Sequence, residues 1–404
     1  MIVKPLGAAA LRVSAAAAGV ASALWTFPSM LLSAFLVTWG AEAAETLVSQ
    51  GLALAVLAWL QTLPEFAVEA VIAWNAGRHP EAAHLAIANL TGAIRLLIGV
   101  GWPMIYFVAA FSGRKKHGAL PAIIMAREHA ITVMGLVPPL LWFVVIWIRK
   151  SLGPLDSAVL ITCYAVYLAI LWRCPPREEH DEAGEPRIAR WARKLGGARS
   201  VLAILLLFGA GGALLYVTAH PFVDAMLALA AMLGINQFVA VQWFAPLLSE
   251  FPEGVSTFTW ARRVTRAPTA LMNLASSNIN QWTILAASIP LIFGWSHQRA
   301  FGVFVPFTFD VEQQIEIGLT VAQSLLGTLL LMKLRFTWVD ATSLFLLWLA
   351  QFVVPSWRYP ISFVYLGWCG LQMLLFIFRV QKLEAAHVFV TVLRETAARR
   401  SRAG

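Results

Sequence analysis

The chain reads as an all-α polytopic membrane protein of about eleven transmembrane helices, arranged as two inverted five-helix repeats with one extra C-terminal helix. Three observations predict this. Hydrophobic residues fill 59% of the 404 positions, charged ones 13%, and mean hydropathy is +0.73, more apolar surface than one soluble core of this size can bury. Windows of roughly 17–25 mainly apolar residues, the length that crosses a bilayer, recur between charged or Pro/Gly punctuation. Two of these windows, one in each half, are interrupted by the same dipeptide, Pro64-Glu65 and Pro252-Glu253.

In chain order, spans are predicted over 22–47, 51–76, 83–111, 130–148 and 157–172, then over 200–219, 234–260, 268–295, 315–333 and 337–355, with an eleventh over 359–379. Residues 222–233 are expected to extend the sixth span as an amphipathic or re-entrant piece. The Ala-rich start has some signal-peptide features, but it runs into the first span without a clear cleavage break, so cleavage is not expected. One long polar stretch, RCPPREEHDEAGEPRIARWARKLGGAR, divides the halves. The expected organisation is therefore a first repeat over 1–172, a cytoplasmic linker over 173–199, a second repeat over 200–356, and an extra helix with a basic tail over 357–404. In that tail Leu383, Ala386, Val390, Leu393 and Ala397 keep helical spacing, which predicts an amphipathic helix on the inner membrane surface.

Aligning the halves pairs Pro64-Glu65 with Pro252-Glu253, Asn89 with Asn273, and Asp156 with Asp340. The offset shortens by about one helical turn after the broken helix. Five spans separate the copies, and an odd number inverts the second. Outside the spans, seven Lys and Arg fall on the side of the N-terminus and twenty-two on the other. By the positive-inside rule the N-terminus faces outside and the C-terminus the cytoplasm, in a cell (inner or plasma) membrane.

Composition also excludes function classes. The net charge of +9 is spread over cytoplasmic loops, so anionic lipid is the expected partner and nucleic acid is not. Cys163, Cys174 and Cys369 lack disulfide or zinc spacing. No catalytic arrangement is recognisable, so the chain is read as a transporter and not an enzyme, and no cofactor is called for. Nothing in the sequence fixes an oligomeric state.

What the sequence does offer is intramembrane charge. A carboxylate in the hydrocarbon region is costly and faces a partner or a water-filled cavity. Glu65 and Glu253 stand beside helix-breaking prolines, and inverted repeats with broken helices place transport sites at their interface. Glu250 adds a carboxylate at i, i+3 from Glu253, suited to tuning the charge or carrying a proton. Arg95 is read as an internal counter-ion for Glu65 or Glu69, and Glu42 and Glu45 as solvated residues ending the first span.

These residues resemble the cation/calcium exchanger superfamily, whose two repeats carry G-T/N-S-x-P-E on one helix and G-N-x-x-G-S-N/D-x-x-N on the next. In the first repeat LQTLPE keeps Thr62, Pro64 and Glu65, and ANLTGAIRLL keeps Asn89 and Gly92, while Ala93 and Ile94 replace the Ser and Asn. In the second, LSEFPE keeps Ser249, Pro252 and Glu253 with Glu250 in a Ser position. There MNLASSNINQ keeps Asn273, Ser277 and Asn278, with Gln281 for the final Asn. The resemblance implies a secondary antiporter that moves Ca2+ or another inorganic cation against Na+ or H+ by alternating access. It implies Glu65 and Glu253 as central charges, holding the metal if the cargo is Ca2+, and Thr62, Ser249, Ser277, Asn278, Asn89 and Asn273 as neutral oxygen ligands. It further implies helix breaks at Pro64 and Pro252 that turn carbonyls toward the same site. The alternative is a non-transporting scaffold or sensor in which Arg95 occupies the cation space.

Overall fold

The computed structural model describes residues 4–44, 62–117, 120–173 and 186–403. The first half comprises α1 (Lys4–Ala44), α2 (Leu63–Arg78), a 3-10 turn (Pro80–Ile87), α3 (Ala88–Leu96), a π turn (Leu97–Gly101) and α4 (Trp102–His117). It closes with α5 (His129–Gly135), α6 (Val137–Arg149) and α7 (Pro154–Arg173). After a short linker helix, α8 (Arg187–Lys194), the second half repeats the series: α9 (Gly197–Leu233), α10 (Gln237–Ser249), α11 (Phe251–Ala261), α12 (Ala267–Asn280), a π turn (Gln281–Leu285) and α13 (Ala286–Phe301). Then come α14 (Val311–Leu331) and α15 (Trp338–Val353), followed by α16 (Arg358–Ile377) and α17 (Glu384–Ala403).

Among the described residues, seven helical stretches are long and apolar enough to cross a membrane. The other predicted spans fall on shorter or broken pieces: α2, the α10–α11 pair, α12 with α13, and α15. The front part of the second predicted span, 51–61, lies outside the described residues. Residues 222–233 extend the sixth span, as expected, but not as a re-entrant piece. They continue α9 through Pro221 as one 37-residue helix, because the apolar run is uninterrupted and neighbouring helices tolerate a proline in a span.

The inversion is visible in how α1 and α9 pack. They run antiparallel: Gly19 faces Ala228, Gly40 faces Phe208, and Ser33 Oγ donates to the Gly211 carbonyl at 2.9 Å. A Cβ on Gly211 would lie 2.9 Å from Val37 Cγ2, so the missing side chain sets the approach, as is usual where lipid removes the hydrophobic drive for helix association.

Two small antiparallel sheets link the halves. β1 (Ala122–Ile124) pairs with β4 (Arg335–Thr337), and β2 (Ser151–Leu152) pairs with β3 (Phe307–Thr308). β2 and β4 hold matching places just before α7 and α15, so each sheet joins unlike strands of the two repeats, as a two-fold relation requires. The sheets lie at opposite ends of the span that α5 and α6 form.

The Asp156–Asp340 correspondence proves to be a helix-start device. Asp156 Oδ2 accepts from Gly153 N at 2.8 Å and its Oδ1 pairs with Arg149, while Asp340 Oδ2 accepts from Thr337 N at 2.8 Å and its Oδ1 pairs with Lys333 Nζ at 2.8 Å. Each carboxylate satisfies an orphan N–H in the first turn and favours the positive end of the helix.

Candidate cation site

Both Pro-Glu dipeptides sit in the first turn of a helix. Proline is accommodated there because the N–H it lacks has no helical acceptor. In the first half Thr62 precedes α2 and its carbonyl accepts from Phe66 N at 3.0 Å. In the second half α10 ends at Ser249, α11 begins at Phe251, and Glu250 occupies the joint with φ −92 and ψ −6. The break is shallow, since Glu250 N donates to the Pro246 carbonyl at 2.8 Å and its own carbonyl accepts from Gly254 N at 3.0 Å. Pro246, one turn earlier, has no N–H for the Gln242 carbonyl. That carbonyl instead abuts Gly92, where a Cβ would come within 1.7 Å of it.

Three polar groupings assemble around these helix starts. In the first, Gln281 Nε2 donates to Glu65 Oε1 at 3.1 Å and to Glu250 Oε1 at 2.8 Å, and Gln281 Oε1 accepts from Asn278 Nδ2 at 3.0 Å. In the second, Glu253 Oε1 accepts from Asn273 Nδ2 at 2.7 Å and from Ser277 Oγ at 2.6 Å. In the third, Glu69 Oε2 accepts from Asn89 Nδ2 at 2.9 Å. The groupings are joined through their helices: Glu65 and Glu69 lie one turn apart on α2, and Asn273, Ser277 and Asn278 share α12. Glu65, Glu69, Glu250, Asn89, Ser277 and Asn278 are buried, whereas Glu253 and Asn273 are partly exposed.

Several oxygens here find no donor among the described residues: Glu250 Oε2, Asn278 Oδ1, Glu69 Oε1 and Asn89 Oδ1. All four are acceptors, and buried acceptors without donors are expensive unless a cation or proton satisfies them. Among the described residues no three His, Cys, Asp or Glu side chains form a ready-made metal cage. Any cation would therefore draw on amide and hydroxyl oxygens as well as carboxylates.

The structure brings Glu65, Glu250, Glu253, Asn273, Ser277 and Asn278 together, with Asn89 and Glu69 adjoining. Thr62 is buried at the start of α2, and Ser249 Oγ donates back to the Ala245 carbonyl at 3.0 Å, which leaves only its lone pairs for another group. Gln281 bridges the two repeats, a role its sequence position did not disclose. The signal was present, because Gln281 occupies the last place of the second motif and opens the π turn, a local bulge that re-aims a side chain. Glu42 departs from expectation: it is buried, and Ser256 Oγ donates to its Oε1 at 3.0 Å, since α11 covers the end of α1. Glu45 lies outside the described residues.

A family model described as sodium/calcium exchanger protein matches residues 17–173 and 203–357. The chain belongs to this family. The exchanger's fold is similar to that of a solved H+/Ca2+ exchanger, CAX, with 31% identity, TM-score 0.83, and coverage of 93% of this chain and 91% of that one. It is also similar in fold to the sodium-calcium exchanger NCX_Mj, with 18% identity, TM-score 0.54, and coverage of 84% and 99%. No curated protein sequence matches the chain.

The exchanger also corrects the reading of Arg95. Its guanidinium pairs with neither Glu65 nor Glu69. Nη2 meets Glu316 Oε2 at 2.5 Å, Nη1 donates to Gln351 Oε1 at 3.2 Å, Nε donates to the Thr91 carbonyl at 3.2 Å, and the group lies over the Trp243 ring at 5.3 Å. Arg95 sits within α3 and finds its counter-charge on α14, so it does not fill the space between the site carboxylates. This removes the basis of the non-transporting alternative.

Proposed function

We propose that this exchanger moves Ca2+ against protons by alternating access, using Glu65, Glu250 and Glu253 as the groups that carry either load. The observation behind this reading is the shared donor: one amide, Gln281 Nε2, holds a carboxylate from each repeat, with an undonated oxygen of Glu250 beside it. Ca2+ takes six to eight hard oxygens. Here the carboxylates would supply charge, and Asn278, Ser277, Asn273, Asn89, Thr62 and Ser249 neutral oxygens, with Glu69 adjoining through Asn89. With the third of these carboxyls protonated throughout, two ionised carboxylates balance one Ca2+, and the same two carry no charge when protonated. Either load therefore leaves a site that can be buried without an uncompensated charge.

The CAX similarity supports protons as the counter-ion. The division at 173–199 into two repeats, with the N-terminus outside and the C-terminus cytoplasmic in a cell membrane, belongs to the same proposal. The test is flux in proteoliposomes carrying an internal pH dye. A Ca2+ gradient should drive proton movement in the opposite direction, and Glu253→Gln should abolish it. Full Ca2+ flux in Glu253→Gln would remove Glu253 from the site, and flux coupled to Na+ with no pH change would replace the proton as counter-ion.

A further inference from the structure

The exchanger contains a second buried polar network that the site does not use. Its centre is Glu316 on α14, 1% exposed. Glu316 Oε2 receives both Arg95 Nη2 at 2.5 Å and Gln242 Nε2 at 2.8 Å, and Oε1 receives Arg358 Nη1 at 2.6 Å. Gln242 Nε2 also reaches Thr91 Oγ1 at 3.3 Å. Gln351 Nε2 donates to Gln323 Oε1 at 3.0 Å, and Gln323 Nε2 donates to the Arg95 carbonyl at 3.1 Å. One carboxylate thus gathers side chains from α3, α10 and α16, and two glutamines add α15 and close the ring.

Two of these helices also reach the site. α3 carries Asn89, and α10 runs from Gln242 to the joint at Glu250. They touch where Gly92 meets the Gln242 carbonyl, and Glu316 holds both beside that contact, through Arg95 on α3 and the Gln242 amide on α10. A buried ion pair is weak evidence for stability, and its best-attested use is to fix a register. The network is also one-sided. At the offset that pairs Asp156 with Asp340, Glu316 and Gln351 correspond to Thr132 and Tyr167 in the first repeat, which offer uncharged hydroxyls: Thr132 Oγ1 lies 3.4 Å from Tyr167 OH, which lies 3.2 Å from Ser276 Oγ. Arg358 comes from α16, the helix outside the two repeats.

We propose that Glu316 is a positioning residue for cation exchange, and that Arg358 recruits the extra helix α16 to hold the Asn89 and Glu250 helices in the geometry that binds the cation. The proposal rests on the exchanger reading above. It assigns α16 a part in cation affinity that the repeat symmetry alone would not give it.

The experiment compares wild type, Arg358→Gln, Arg358→Lys and Glu316→Gln for initial Ca2+ flux against Ca2+ concentration, with thermal unfolding of each in detergent. Loss of a group that orients metal ligands costs about 10–100-fold in affinity or activity. Arg358→Gln should therefore raise KM for Ca2+ about tenfold while the maximal rate stays within about a factor of two, and Arg358→Lys should recover part of that shift by restoring the charge. Glu316→Gln, which leaves two guanidinium groups facing a neutral amide, should be the more severe. If Arg358→Gln fails to fold, Arg358→Lys carries the same KM comparison, because it keeps the charge and loses the fork. A lowered Tm with unchanged KM in the folded variants would make the network purely structural and overturn the proposal. Absence of Ca2+ flux in wild type would overturn the exchanger reading and this inference together, whereas wild-type flux with unchanged KM overturns the inference alone.

Discussion

Gln281 has the largest share of the site's geometry for a residue without charge. Its amide nitrogen separates Glu65 from Glu250 and its carbonyl holds Asn278. Gln281→Leu would leave two buried carboxylates facing each other without a donor, a change that costs more than the hydrogen bonds themselves. Ca2+ flux should fall at least tenfold, while Gln281→Asn should retain part of it; full activity in the Leu variant would show that the bridge is dispensable. The carboxylates were legible in the sequence because an acidic residue in an apolar window demands an explanation. Glu316 and Gln242 were not, because a lone Glu near the start of a predicted span looks interfacial, and a lone Gln has no charge to flag it. Arg95 was flagged for the right reason and given the wrong partner: sequence shows that a buried guanidinium needs a carboxylate, but not which helix supplies it.

At the scale of elements, the breaks and the π turns set where side chains point. The alternation of apolar windows and Pro/Gly punctuation predicts almost every helix, and the structure moves most ends by only a few residues. What periodicity could not show was the π turn at Leu97–Gly101 and its counterpart at Gln281–Leu285, since a single inserted residue leaves the apolar run unchanged. Nor could it show the near contact between α3 and α10. Gly92→Ala should separate these helices, because the new Cβ would sit 1.7 Å from the Gln242 carbonyl oxygen, a backbone atom with little room to move. Overpacking of this kind costs about 1–3 kcal/mol. A lower Tm together with a raised KM for Ca2+ is expected, and a variant with wild-type Tm would show that the helices already part freely there.

For the whole molecule, the inverted duplication was legible from three aligned pairs, and the structure adds its physical content. Asp156 and Asp340 begin equivalent helices, each held by a basic side chain at an equivalent place, Arg149 or Lys333. Asp340→Asn should cost about 1 kcal/mol through loss of the helix-start bonds, measured as a fall in Tm with flux per folded molecule unchanged. Altered flux at unchanged stability would instead bring Asp340 into the transport pathway.

The two crossed sheets carry a mechanical consequence. Each ties a strand of one half to an unlike strand of the other, and the ties stand at opposite ends of one span. A body stitched at both faces cannot part down its seam to admit an ion from either side. If the stitches persist through the cycle, access must alternate by something sliding over that body, and the long glycine-lined pair α1 and α9 has no strand in either sheet. A cysteine cross-link between the paired residues Ile123 and Phe336 should therefore leave exchange intact. Loss of flux on oxidation, restored by reduction, would mean that the seam itself opens.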